Sequence, residues 1–170
     1  MVLNAGNKHI DIAHFQKIKE SLFKTCDLSF KTLDDFSLIA LQGPKAHQVL
    51  ADLIKSSSQA IDLNKVGFMT HFSVSVGNLN LEVYRSGYTG EDGFEISVQN
   101  NQVIEFVELL LKDQRVKPAG LGARDSLRLE AGLCLHGNDI DENTNPAEAG
   151  LMWTVRKNAV KTKLMIFFYL

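Results

Sequence analysis

The sequence is sparing with the residues that most often announce a metal or a disulfide scaffold. It holds two cysteines, Cys26 and Cys134, and no CxxC pair. A structural zinc site needs more thiolate or imidazole ligands at close spacing. The five histidines, His9, His14, His47, His71 and His136, form no HExxH or HxH arrangement, so no metal site is expected. Two unpaired cysteines in a chain of this size read as buried, reduced thiols of an intracellular or organellar protein. Basic residues never run longer than two and the formal net charge is −2, which leaves no electrostatic footprint for nucleic acid or for a membrane surface. No apolar run approaches the ~20 residues of a membrane span. No secretory signal or transit peptide is visible either.

What remains is ordinary for a folded domain. Of the 170 residues, 45% are hydrophobic and 22% charged, enough apolar side chain to build a core. Residues 1–5 read as an internal β-strand. Ile12, Phe15, Ile18 and Leu22 recur at helical spacing and predict an amphipathic helix over about 11–24. A strand is expected over 36–41. It breaks at Gly43-Pro44, and a helix follows whose stripe is Ala46, Val49, Leu50, Leu53 and Ile54. Phe72, Val74 and Val76 alternate up to Gly77-Asn78, and Leu79, Leu81 and Val83 alternate after it. That pattern is a hairpin. A third strand carries Phe94, Ile96 and Val98. Helices are expected over 103–111 and 119–133, and a last strand over 151–155. Antiparallel strands with covering helices give an α+β fold class. The closing stretch Leu164 to Leu170 is short, apolar and aggregation-prone rather than a membrane anchor.

Two stretches could carry chemistry. The first is Arg85-Ser86-Gly87-Tyr88-Thr89-Gly90-Glu91-Asp92-Gly93-Phe94-Glu95-Ile96. Its glycines fit neither the dinucleotide fingerprint nor the P-loop. It reads either as a glycine-rich connection between strands or as a loop whose backbone approaches a ligand closely. Because Phe94, Ile96 and Val98 share one strand face, Glu95 points to the other, towards solvent or a cleft. The second runs from Gly120 to Gly132. Arg124 and Arg128 stand four apart on one helix face, with Asp125 and Glu130 as available partners. This is either a solvated salt-bridged surface or an arginine fork aimed at a carboxylate ligand. Gly132 reads as a helix stop.

At these stretches the chain resembles a known family, the T-proteins of the glycine cleavage system. Gly87 to Glu95 is similar to their GYTGEDGxE signature. Residues 123–135, ARDSLRLEAGLCL, followed by Gly137-Asn138-Asp139-Ile140, resemble the family's longest motif. Asn145-Pro146, Glu148 and Trp153 continue it. Val2 to Gly6 is similar to a strand ending in Asn-Ala, and Leu41-Gln42-Gly43-Pro44 matches another marker. The likeness spans about residues 2–155.

The resemblance implies a folate-dependent aminomethyltransferase. Members take an aminomethyl group from the lipoyl arm of the H-protein and pass its one-carbon unit to tetrahydrofolate, releasing ammonia. Glu95 matches a carboxylate that receives the adjacent pterin donors; Tyr88, Asn4 and Arg124 match residues lining the same pocket. The catalytic aspartate, in an Asp-Asp pair, precedes the Asn-Ala strand in the family. No residue here matches it, so no catalytic residue is assigned. The resemblance also implies that residues 1–40 are a remnant of one lobe of the folate-binding core. Residues 41–155 would then be a second lobe, 156–170 a divergent apolar tail, and a C-terminal β-domain would be missing. On this reading the chain is truncated at both ends. Other readings are a folate-binding fragment without catalysis, or the folate domain of a dimethylglycine or sarcosine dehydrogenase relative. Folate-binding proteins of iron–sulfur assembly and tRNA modification are similar but carry a Lys-Gly-Cys-Tyr-x-Gly-Gln-Glu motif, which neither cysteine here matches. Eukaryotic members work in mitochondria.

Overall fold

The computed structural model describes residues 2–25, 27–55, 57 and 59–155. Cys26 and the apolar tail over 156–170 lie outside them. The chain divides into two compact units, Thr32–Leu133 and the segments that flank it.

The unit Thr32–Leu133 is built on β1 (Phe36–Gln42), β2 (His71–Val76), β3 (Leu79–Tyr84) and β4 (Gly93–Gln99). They form one antiparallel sheet in the order β1-β4-β3-β2. β2 and β3 are the expected hairpin around Gly77-Asn78, with Val74 opposite Leu81 and Val76 opposite Leu79. One sheet face is apolar: Val74, Val76, Leu79, Leu81, Val83, Phe94, Ile96 and Val98 are buried, and Leu41 of β1 joins them. The period-two pattern forces this, since a one-residue slip would turn the whole set to the other side.

Helices α2 (Ala46–Ile54) and α3 (Val103–Leu111) supply Ala46, Val49, Leu50, Ile54, Phe106 and Leu110 to that core. Leu50 and Phe106 are fully buried. Pro44 precedes Lys45, the N-cap of α2, rather than standing inside its first turn. The helix α4 (Leu121–Glu130) is shorter than expected and differs in kind. Its one buried residue is Arg128, while Leu121, Leu127 and Leu129 are exposed. Gly132, at φ +70, follows it in the left-handed conformation that ends helices.

The flanking unit contains α1 (Lys8–Leu22), which buries no residue. Ile12, Phe15 and Ile18 are half-buried along its stripe and Leu22 is exposed. Two expectations fail in this unit. Residues 2–4 are not in a strand; Asn4 instead caps a 3-10 turn over Ala5–Asn7 that leads into α1, with its carbonyl accepting from the Asn7 amide at 3.0 Å. The final strand over 151–155 is also absent, and Met152–Thr154 form another 3-10 turn. The reason is common to both. A strand is completed only by a neighbour that pairs with its amides and carbonyls, and among the described residues the sheet's pairings are all among β1 to β4. Local i to i+3 bonds, such as Thr154 to Leu151 at 2.9 Å, satisfy the backbone instead.

The loop over 141–150 shows what Asn145-Pro146 and Glu148 do locally. Asn145 Oδ1 accepts from the amides of Ala147 and Glu148, both at 3.0 Å, while Glu148 Oε2 accepts from the Asn145 amide at 3.0 Å. This is a reciprocal capping box around a single turn, with proline following the cap.

Candidate functional site

The other face of the sheet is polar, and Glu95 stands on it. In register it lies between Ala40 of β1 and Tyr84 of β3, and His71 stacks on Tyr84 at 5.5 Å with the rings 20° apart. The Glu95 side chain is half-buried. Ser86 is buried, and its Oγ donates to Glu95 Oε2 at 2.6 Å. Among the described residues no other side chain or amide donates to that carboxylate.

The loop between β3 and β4 is held at both ends. At its start, Arg85 donates from Nε and Nη2 to the two oxygens of Asp92, at 3.0 and 2.8 Å, and from Nη1 to the carbonyls of Leu63 and Val66 at 3.3 and 2.6 Å. The Arg85 guanidinium holds the Asp92 carboxyl below its ordinary range, and Asp92 in turn raises Arg85. The Asp92 carbonyl accepts from the Gly43 amide at 2.9 Å, tying the loop to the end of β1.

In the middle sits Gln42, whose Nε2 donates to the carbonyls of Ser86 and Phe94, both at 3.0 Å. Two acceptors at one end fix which way the carboxamide points. Its Oε1 is buried with no hydrogen-bond partner among the described residues. A Cβ on Gly87 or Gly93 would run into this carboxamide. These glycines therefore serve close internal packing against Gln42. That much of the loop is a structural connection, one of its two sequence readings.

Tyr88 and Arg124 meet. The Arg124 guanidinium carbon lies 4.8 Å from the centre of the Tyr88 ring, a cation–π contact that joins the loop to α4. Arg128, one turn on, is used differently. It pairs with Asp125 at 2.8 Å and donates to the Leu133 carbonyl at 3.2 Å, closing the helix end. The two arginines thus do not form a fork: Arg128 is turned inward and Arg124 is exposed.

Glu95, Tyr88 and Arg124 all belong to the unit Thr32–Leu133, whereas Asn4 belongs to the flanking unit. Sequence reading marked neither Ser86 nor Gln42 as a site residue. The available signal was an amide, Gln42, ending an apolar strand immediately before Gly-Pro. A cleft of about 270 Å³ between α2 and α3, lined by Val49, Asp52, Leu53, Leu109 and Asp113, lies on the helix side of the sheet, away from Glu95. Among the described residues, no three His, Cys, Asp or Glu side chains gather as a metal centre requires, and no helix is long and apolar enough to cross a membrane. The thiol of Cys134 is half-buried, 3.8 Å from the Ala149 carbonyl.

Known proteins are similar to this chain in sequence, and a solved structure is similar in fold. The family described as the GCVT N-terminal domain matches residues 1–159. Mitochondrial aminomethyltransferase of Dictyostelium discoideum is 45% identical over 166 residues, covering 92% of this chain and 40% of that protein. The mitochondrial aminomethyltransferase of Mus musculus is 47% identical over 159 residues, covering 92% of this chain and 38% of its own length. The glycine cleavage system aminomethyltransferase T of Bartonella henselae superposes with a TM-score of 0.75 at 43% identity, covering 94% of this chain and 40% of that one. The chain thus spans about two fifths of the length of these relatives. With the expected α+β fold present and the match running through both motif stretches, the chain belongs to the GCVT N-terminal domain family.

Proposed function

We propose that this chain provides a folate-binding part of an aminomethyltransferase of the glycine cleavage system, working in mitochondria as the named relatives do. In that reaction an aminomethyl group on the lipoyl arm of an H-protein gives its carbon to tetrahydrofolate. Methylenetetrahydrofolate forms, the nitrogen leaves as ammonia, and the arm is left as dihydrolipoyl. The observation that carries the reading is the Glu95 carboxylate. It is half-buried on the polar sheet face, and one of its oxygens accepts nothing from the protein among the described residues.

A pterin ring presents an amino group and a ring N–H side by side, and a carboxylate accepts both at once. Tyr88, with its ring covered by Arg124, is the further pocket residue of this proposal within the same unit. Arg124 is exposed and positively charged, so it also suits an anionic part of the ligand. No residue is assigned to the chemical step.

The test is a titration of the chain with tetrahydrofolate under reducing conditions. Wild type should bind, and Glu95→Gln should weaken binding about tenfold or more, since hydrogen bonds to a charged acceptor contribute roughly 1.5–3 kcal/mol. Unchanged affinity in a folded variant would sink the assignment of Glu95. Folate binding with no ammonia released from an aminomethyl-loaded H-protein would point to binding without turnover.

A further inference from the structure

We propose that Ser86 is a positioning residue for Glu95, and that Gln42 holds Ser86 in place; the proposal rests on the folate reading above. Glutamate has three side-chain torsions, and a half-buried carboxylate on the polar sheet face would otherwise sample several of them. Binding would then have to order it first, which lowers affinity for a rotamer-rich side chain. The short bond from Ser86 Oγ to Glu95 Oε2, at 2.6 Å, selects one arrangement before any ligand arrives. It does so without consuming the carboxylate. Each ionised oxygen has two acceptor sites, so Oε2 can still take a second donor and Oε1 remains open.

The position of Ser86 is itself over-determined. Its residue is 7% exposed, its amide donates to the Tyr84 carbonyl at 3.0 Å, and its carbonyl accepts from Gln42 Nε2 at 3.0 Å. Gln42 binds the Phe94 carbonyl with the same nitrogen, so one carboxamide spans Ser86, near the start of the loop, and the residue before Glu95. Gly87 and Gly93 leave the room this requires; a side chain at either would displace the carboxamide. The chain of contacts runs from β1 through Gln42 and Ser86 to one oxygen of Glu95.

A double-mutant cycle on tetrahydrofolate binding tests this. Ser86→Ala removes only the hydroxyl and leaves the carbonyl that Gln42 holds. It should weaken binding by about five- to tenfold, because ordering the carboxylate then falls to the binding step, while circular dichroism stays that of the wild type. Ser86→Thr keeps the hydroxyl and should bind within about threefold of wild type. In a Glu95→Gln background, Ser86→Ala should cost less than about twofold, because residues that act through one another are not additive. Wild-type affinity in Ser86→Ala, an equal loss in both backgrounds, or a threonine variant as weak as the alanine one would each overturn the positioning role. Glu95→Gln losing affinity in the same titrations would then leave the folate reading standing. A wild-type chain that binds no tetrahydrofolate would overturn that reading and this role together.

Discussion

The two units of the chain are made of similar residues and buried very differently. Every buried side chain among the described residues lies in Thr32–Leu133, including all sixteen hydrophobic residues of the core. The flanking unit has an amphipathic helix, caps and turns, yet α1 buries nothing. The difference teaches that an apolar stripe is only half of a core. The stripes of α2 and α3 meet a sheet face whose residues alternate with the same polarity, and both sides leave water together. The stripe of α1 has the right spacing, but the described residues of its own unit supply no sheet face to complete it.

The largest test of that contrast is a pair of aromatic truncations. Phe106→Ala, at a fully buried position, should destabilise the sheet unit by about 3–5 kcal/mol through lost burial and a cavity. Phe15→Ala in α1 should cost less than about 1 kcal/mol. Hydrogen exchange of the β3 and β4 amides reads the first and that of α1 amides the second, so each unit reports on itself. Equal losses would break the comparison.

A smaller effect is expected at Arg85. Arg85→Ala leaves the Leu63 and Val66 carbonyls without their donor, and should cost about 1–3 kcal/mol by denaturant titration. Asp92→Asn, which removes only the half-exposed ionic partner, should cost well under that because solvent screens the pair. If the two variants were equal, the ion pair rather than the carbonyls would be the anchor.

The smallest is a pH effect at the surface of the same unit. The Arg115 guanidinium beside Asp113 lowers that carboxyl from the ordinary 3.8 to about 2. A depressed folded pKa means the pair stabilises the fold above pH about 4 and that this contribution is lost as pH falls through about 2. Carboxyl chemical shifts should place the Asp113 midpoint near 2, and a midpoint near 3.8 would remove the contribution.

Elements with a strong period were legible from the residues. The hairpin at Gly77-Asn78, the strand carrying Phe94, Ile96 and Val98, and the stripes of α2 and α3 all follow patterns set by local stereochemistry. Residues 1–5 and 151–155 have the composition of strands, yet none of the described residues among them is in one, because a strand is completed by a neighbour and not by its own residues. In the site, alternation alone turned Glu95 away from the core, and helical spacing alone put Arg124 and Arg128 close in direction. It could not say that Arg128 closes the end of α4 while Arg124 covers Tyr88.

By itself, then, the sequence determined which residues are apolar on which face, where the chain turns, and that Glu95 leaves the core side of its strand. Those are consequences of periods of two and of 3.6, which need no partner to be defined. Only the tertiary structure decided that Ser86 donates to Glu95, that Gln42 spans Ser86 and Phe94, and that two glycines make room for it. Those contacts join residues 9 to 52 positions apart, and no local rule brings such distant groups within hydrogen-bonding distance.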